Sequence, residues 1–196
     1  MMMAQQPTVD KVTVVALVEN ESGVLNRIVS LFRRRAFNID SLTVGRTHKP
    51  DISRMTIRVD AGSEYARKIA NNLQKLVNVI DVRVIDSEPH IQRDLALIKV
   101  RSDDAYSRNT LTEICDQYPA RIVDVGPQVA IIEMVGTETF VEKFIDEVRP
   151  IGIVEMIRTG VVSMGRGTRI HDTSVTRRDL ARANLQAAAA RNGKIV

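Results

Sequence analysis

The first half of the chain contains apolar residues in two kinds of pattern, one typical of strands and one typical of helices. Apolar residues dominate Lys11–Val18 and predict a strand, and a polar stretch, Glu19–Gly23, ends it. Apolar residues then recur every three or four positions, which predicts an amphipathic helix over Val24–Arg35. The remaining elements predicted in this half are strands Ile39–Arg46, Ser53–Asp60 and Val79–Ile85 and a helix over Ser63–Leu76. The order βαββαβ is typical of the ferredoxin-like fold, an antiparallel sheet with both helices on one face.

The second half of the chain repeats this order. The predicted elements are strands Leu95–Val100, Ala120–Val125, Val129–Val135 and Ile151–Thr159 and helices Thr110–Tyr118 and Thr137–Val148, with Thr137 placed to cap its helix. A polar, proline-containing segment, Asp86–Arg93, separates the halves as a domain linker would. We therefore predict an α+β chain of two tandem ferredoxin-like modules, residues 10–86 and 94–164, followed by a basic tail, residues 165–196.

The basic character of the chain comes from this tail. Residues 165–196 contain seven basic and two acidic residues, a net charge of +5, whereas the whole chain carries +4. The body is therefore close to neutral. The chain has no tryptophan, so surfaces for stacking nucleic-acid bases are scarce. These features argue against a nucleic-acid role for the body and leave one open for the tail, where only Arg177–Arg191 has a helical pattern. We expect the tail to be mobile or to become ordered on a partner.

Residue types that carry catalysis are not grouped in this sequence. The single cysteine, Cys115, excludes an intrachain disulfide, favours a cytoplasmic location and lies on the apolar side of a predicted helix, as a buried thiol would. His48, His90 and His171 fall in predicted loops or the tail without the spacing of metal ligands. The sequence also has no apolar run that could cross a membrane and no signal-peptide pattern at its start.

One turn stands out as a possible binding site. The stretch Glu19–Gly23 leads directly into a predicted helix, whose N-terminal N–H groups attract carboxylates. Gly23 and Asn20 could each be ordinary turn residues. The matching turn of the second module, Ser102–Arg108, lacks glycine and contains two aspartates, which should repel a carboxylate. Only the first turn is therefore predicted to bind an anion in this way.

Asn38, at the start of the next strand, strengthens the functional interpretation of this turn. In a ferredoxin-like module Gly23 and Asn38 lie at opposite ends of the first helix, so a small ligand could not contact both in one chain. Two chains whose helices meet antiparallel could offer both residues. The geometry therefore predicts a site shared between two protomers.

Several short segments resemble a known family. Those in the first half are Glu19–Leu25, Arg35–Leu42, Ser53–Ile57 and Gln74–Ile80. They resemble the N-terminal ACT domain of the regulatory, small subunit of acetolactate synthase, also called acetohydroxyacid synthase. In the second half Arg93–Lys99, Ile122–Asp124 and Arg158–Val162 match the same family. The resemblance covers about residues 10–168, so it predicts an ACT domain followed by an ACT-like domain and leaves the tail unexplained.

The resemblance implies a non-catalytic partner that forms a homodimer through its ACT domain. It would bind and activate the catalytic large subunit and make it sensitive to inhibition by valine or related branched-chain amino acids. Thiamine diphosphate, magnesium and FAD would belong to the catalytic subunit, and this chain would hold no cofactor and no metal. The implied effector site uses Asn20, Gly23, Val24 and Leu25 of one chain with Asn38 and Ile39 of the other.

Three alternatives remain at this point. The chain could be an amino-acid-sensing ACT regulator not tied to this enzyme. An amino-acid-binding transcriptional regulator would require a DNA-binding module, and the sequence has no evident helix-turn-helix. A small enzyme would require a cluster of acid, base or nucleophile, which the sequence does not supply.

Overall fold

The first half of the chain forms one four-stranded antiparallel sheet with two helices. The structure is a computed structural model and describes residues 11–60 and 62–167. The elements are β1 (Lys11–Glu19), α1 (Val24–Arg34), β2 (Ile39–Arg46), β3 (Ile52–Asp60), α2 (Ser63–Leu73) and β4 (Val79–Val84). The strand order is β2-β3-β1-β4. Strand β1 pairs with β3 and β4, and its residues 12–18 are buried on both faces of the sheet, which explains its nearly continuous apolar sequence.

Both helices of this half pack on the same face of the sheet. One cluster of buried side chains joins β1, β3, α1 and α2 and includes Val14, Ile57, Ile28 and Ile69. The three- and four-residue spacing in the helices and the two-residue spacing in the strands direct these side chains inward. The predicted ferredoxin-like arrangement is confirmed for this half.

The C-terminus of α1 ends in a Schellman motif with alanine where glycine is usual. Ala36 N–H donates to Arg33 C=O and Phe37 N–H donates to Phe32 C=O, at 3.2 and 3.1 Å. Ala36 has a φ of 54°, in the left-handed region that costs a residue with a Cβ free energy. The rings of Phe32 and Phe37 pack edge to face, 6.1 Å apart, as the apolar contact that accompanies this motif. This contact explains how an alanine is held in the left-handed conformation.

We expect Ala36→Gly to stabilise the protein by about 0.5–1 kcal/mol, because relief of left-handed strain exceeds the extra chain entropy of glycine. The midpoint of urea unfolding measures the effect. A matched control is Ala70→Gly, inside α2, where the same exchange should destabilise by about 1 kcal/mol. Equal losses in both variants would contradict the argument.

The second half builds a second sheet of the same kind. Its elements are β5 (His90–Arg101), α3 (Ala105–Asp116), β6 (Ala120–Val125), β7 (Val129–Gly136), α4 (Glu138–Val148), β8 (Ile153–Arg158) and β9 (Val162–Gly165). The strand order is β6-β7-β5-β8, and β9 also pairs with β5. Buried Ile98, Ile132, Leu111 and Phe144 lie in one core cluster that joins this sheet to α3 and α4. The predicted repeat of the fold is confirmed.

Some element boundaries differ from the predictions. Strand β5 begins at His90 and β9 pairs with it, so most of the predicted linker is regular structure. Helix α3 begins five residues earlier than predicted, because the Asp104 carboxylate accepts from Ser107 N–H at 2.6 Å and caps the helix. Helix α2 ends at Leu73, three residues earlier than predicted. After it, Leu76 N–H donates to Leu73 C=O in an i→i+3 hydrogen bond of the 3₁₀ type. Thr137 caps α4 as predicted.

The described residues divide into two compact units, residues 11–89 with 165–167 and residues 90–164. The first residues of the predicted tail thus belong to the first unit, where Arg166 N–H donates to Pro89 C=O at 2.9 Å. The predicted helix over Arg177–Arg191 and the rest of the tail, from residue 168, lie outside the described residues.

An ion pair with a buried carboxylate joins β5 to the end of β8. Asp94 is 1% exposed, and its carboxylate accepts from Arg158 through both Nε, at 2.9 Å, and Nη2. Thr159 Oγ1 donates to the other Asp94 oxygen at 3.4 Å. Arg158 Nη1 also lies 3.9 Å from Glu142 on α4. The pair therefore connects two strands and faces a helix of the second unit.

Candidate functional site

The turn between β1 and α1 leaves a helix N-terminus open. Gly23 is the N-cap of α1 with a φ of 85°, a conformation that favours glycine. Its missing side chain leaves open space, since a Cβ built there would meet no atom within 4 Å. No side chain caps α1 and no acidic residue lies in its first turn. The positive end of the helix dipole is therefore available to an external anion.

Asn20 fixes this turn to the loop between β2 and β3. Asn20 N–H donates to Asp51 C=O at 2.8 Å, and Nδ2 donates to Pro50 C=O at 2.8 Å. The side-chain oxygen accepts from Ser53 Oγ at 3.1 Å. Both ends of the Asn20 amide are thus engaged within the chain. The structure gives Asn20 an anchoring role in addition to its predicted place in the site.

A second anchor comes from Asn78, a residue that the sequence analysis did not select. Asn78 is 7% exposed, and its Nδ2 donates to Glu19 Oε2 at 2.7 Å. Its Oδ1 accepts from Arg27 Nη1, and its C=O accepts from Glu19 N–H at 2.9 Å. Asn78 thereby ties the end of β1 to the first turn of α1. In the sequence, the only indication of this role is that Asn78 is a polar residue between the apolar residues Val77 and Val79.

The apolar residues of the turn divide between the core and the surface. Val24 is 4% exposed and packs in the core of the first unit, whereas Leu25 is 46% exposed. Leu25 is therefore the large apolar side chain that the turn exposes to solvent. Val24 holds the helix start in place.

The other end of α1 opens into a cavity of about 340 Å³. Its lining residues come from the end of α1, the end of β3 and the start of α2: Ala36, Phe37, Asn38, Val59, Asp60, Gly62 and Tyr65. The exposed Asn38 donates from Nδ2 to Asp60 Oδ2 at 3.1 Å. Ile39, the first residue of β2, is half-buried against the core.

One chain keeps its two candidate half-sites apart. Helix α1 has 11 residues between Gly23 and the segment that leads to Asn38. At 1.5 Å per residue this separates them by about 16 Å, several times the reach of a hydrogen bond. Gly23 and Leu25 therefore lie at one end of α1, and Asn38 and Ile39 lie at the other.

The corresponding turn of the second unit is closed by its own side chain. Asp104 accepts from Ser107 N–H, and this backbone hydrogen bond is the main cause that lowers the pKa of its carboxyl group. Arg108 donates from Nε to Ser102 C=O at 2.8 Å across the same turn. A carboxylate of the chain itself thus caps α3, whereas no side chain caps α1.

The remaining candidates for chemistry have ordinary surroundings. Cys115 is buried on α3, and its burial raises the pKa of the thiol to about 11, so it is protonated at neutral pH. Among residues 11–60 and 62–167, no group of three or more histidine, cysteine or acidic side chains could hold a metal. His171 lies outside these residues. None of the helices in the described part of the chain has the length and apolarity needed to cross a membrane.

Two protein-family models match this chain, one for each unit. A model described as an AHAS small subunit-like ACT domain matches residues 15–81. A model described as the small subunit of acetolactate synthase matches residues 93–167. The chain belongs to the acetolactate synthase small-subunit family.

Individual relatives agree with this family assignment. The acetolactate synthase small subunit of Mycolicibacterium smegmatis is 43% identical over 157 residues, 80% of this chain and 92% of the relative. A probable small subunit from Archaeoglobus fulgidus is 45% identical over 159 residues, 81% of this chain and 99% of the relative. The crystal structure of the small subunit from Thermotoga maritima is 34% identical, covers 82% of this chain and 100% of that chain, and superposes with a TM-score of 0.74. The family resemblance and the predicted fold are both confirmed.

Proposed function

We propose that this chain is the regulatory subunit of an acetolactate synthase. It binds the catalytic large subunit, raises its activity and makes it sensitive to inhibition by valine. The observation that carries this proposal is membership in the acetolactate synthase small-subunit family, with both units matched. The chain itself contributes no catalytic group, and the thiamine diphosphate, magnesium and FAD of the reaction are held by the large subunit.

The effector site, in this proposal, lies between two copies of the first unit. Because Gly23 and Asn38 lie at opposite ends of α1, two helices that meet antiparallel bring Gly23 of one protomer to Asn38 of its partner. Strand β2 is an edge strand of its sheet, which gives a second copy a place to pair. A homodimer through the ACT domain completes two equivalent sites.

Each part of valine has a group that suits it in such a site. The open N-terminus of α1 at Gly23 takes the carboxylate, as the dipole and free N–H groups favour. The Asn38 amide oxygen of the partner accepts from the ammonium. Exposed Leu25 and half-buried Ile39 contact the isopropyl group. Valine bound in this way stabilises one arrangement of the dimer, and this arrangement lowers the activity of the catalytic subunit.

The decisive experiment is reconstitution with the large subunit of the same organism. We expect the two chains to co-purify, acetolactate formation to rise severalfold over that of the large subunit alone, and valine to reverse the increase. Leucine and isoleucine assayed in parallel give the effector preference. An ACT regulator tied to another enzyme would neither co-purify with the large subunit nor change its activity, and that result would contradict the proposal.

A further inference from the structure

The cavity at the C-terminal end of α1 contains a hydrogen bond that fixes the orientation of an amide. Asn38 Nδ2 donates to Asp60 Oδ2 at 3.1 Å. A rotated amide would place its oxygen against the carboxylate, where both atoms are acceptors and repel each other. Asp60 therefore selects the orientation in which Asn38 Oδ1 is left to accept a hydrogen bond from a ligand.

Asp60 also brings a negative charge to a cavity whose other side chains are mainly apolar. Phe37, Val59 and Tyr65 line the same space, and the rings of Phe37 and Tyr65 pack edge to face 6.3 Å apart. Lys11, which lies opposite Asp60 in the β1–β3 ladder, directs its ammonium to Asp40 at 3.2 Å. Among the described side chains, no cation forms an ion pair with Asp60 within 4.0 Å.

We infer that Asp60 is the specificity-determining residue that makes the effector site select α-amino acids. Its carboxylate supplies the countercharge for the α-ammonium, and its bond to Asn38 Nδ2 presents Asn38 Oδ1 to the same group. Hydrogen bonds in which both the donor and the acceptor are charged are about twice as strong as neutral ones. This inference rests on the proposed effector role and deepens it: the site discriminates against 2-hydroxy and 2-oxo acids of the same carbon skeleton, which lack the cation.

Isothermal titration calorimetry on the full chain tests the inference with two ligands of one shape. Valine and 2-hydroxy-3-methylbutanoate differ in having an ammonium or a hydroxyl at the α-carbon. We expect the native chain to bind valine at least about 10-fold more tightly than the hydroxy acid. In Asp60→Asn we expect valine affinity to fall about 10- to 100-fold while hydroxy-acid affinity stays or rises, so that the selectivity is lost.

Glu64→Gln is the matched control. Glu64 is an exposed acidic residue at the start of α2 that pairs with Lys68 and does not line the cavity. This variant removes the same charge close to the site, so it should leave the ratio of the two affinities unchanged. Asp60→Glu, which keeps the charge on a longer side chain, should restore part of the selectivity. If circular dichroism shows that Asp60→Asn is unfolded, the selectivity of Asp60→Glu tests the inference instead.

The possible outcomes separate this inference from the proposed function. Native selectivity in Asp60→Asn, or equal loss of selectivity in Glu64→Gln, would overturn the role of Asp60 and leave the effector site intact. A native chain that bound neither ligand would overturn the proposed effector site together with this inference.

Discussion

Gly23→Asp is expected to abolish inhibition by valine while leaving activation of the catalytic subunit intact. The new carboxylate would stand at the open N-terminus of α1, in the open space that we propose for the effector carboxylate. Like charges that face each other in a binding site cost several kcal/mol, so valine affinity should fall about 100-fold or more. The variant should fold, because a Cβ at Gly23 meets no atom within 4 Å and aspartate tolerates a left-handed φ better than most residues.

Gly23→Asn is the matched control, because asparagine has the same shape and also tolerates this conformation but carries no charge. Valine inhibition curves of the reconstituted enzyme should show the highest sensitivity to valine in the native protein, a lower one in Gly23→Asn and the lowest in Gly23→Asp. Equal effects of the two substitutions would assign the loss to volume alone. Undiminished valine inhibition in Gly23→Asp would show that the effector binds elsewhere.

The same variant tests whether each site is shared between protomers. In a heterodimer of Gly23→Asp and Asn38→Ala chains, one site would combine both damaged halves and the other would combine two native halves. Calorimetry should then find one site of native affinity per dimer. A heterodimer without any native site would contradict the shared arrangement.

The architecture could be predicted from the sequence because its signals are local. Strands were marked by alternating or continuous apolar residues and helices by apolar residues spaced three or four positions apart, and this order repeats in both halves. The start of α3 was misplaced because the cap, Asp104, stands before a weakly amphipathic first turn. Strand β9 has four residues, too few to show alternation, and forms by pairing with the distant β5.

The candidate site could be predicted only in part, because some of its residues act through contacts distant in sequence. Gly23 and Asn38 were accessible from the turn pattern and the family resemblance. Asp60 acts through Asn38, 22 residues away, and Asn78 acts through Glu19, 59 residues away. Neither pair follows a helix or strand period, so only the assembled sheet brings them together. The left-handed conformation of Ala36 could not be predicted either, because the residue in this position after a helix is usually glycine.

The pair of buried Asp94 and partly exposed Arg158 should give the largest stability effect in the second unit. We expect Asp94→Leu alone to destabilise the protein by about 2–3 kcal/mol, because Arg158, whose side chain is 27% exposed, loses the carboxylate that accepts from Nε and Nη2. Urea unfolding followed by circular dichroism measures the change. The exposed pair Lys99–Glu155 joins the same two strands and is the matched control, and Glu155→Leu should cost about 1 kcal/mol or less.

The double variant Asp94→Leu, Arg158→Met separates the value of the pair from the cost of leaving one charge behind. Replacing both partners by apolar side chains removes the stranded guanidinium, so the double variant should recover most of the stability lost in Asp94→Leu. Failure to recover would mean that the ion pair itself, with its bond to Thr159, is what holds β5 to the end of β8. A loss below about 1 kcal/mol in Asp94→Leu would instead show that the carboxylate is hydrated in solution and contributes no more than an exposed pair.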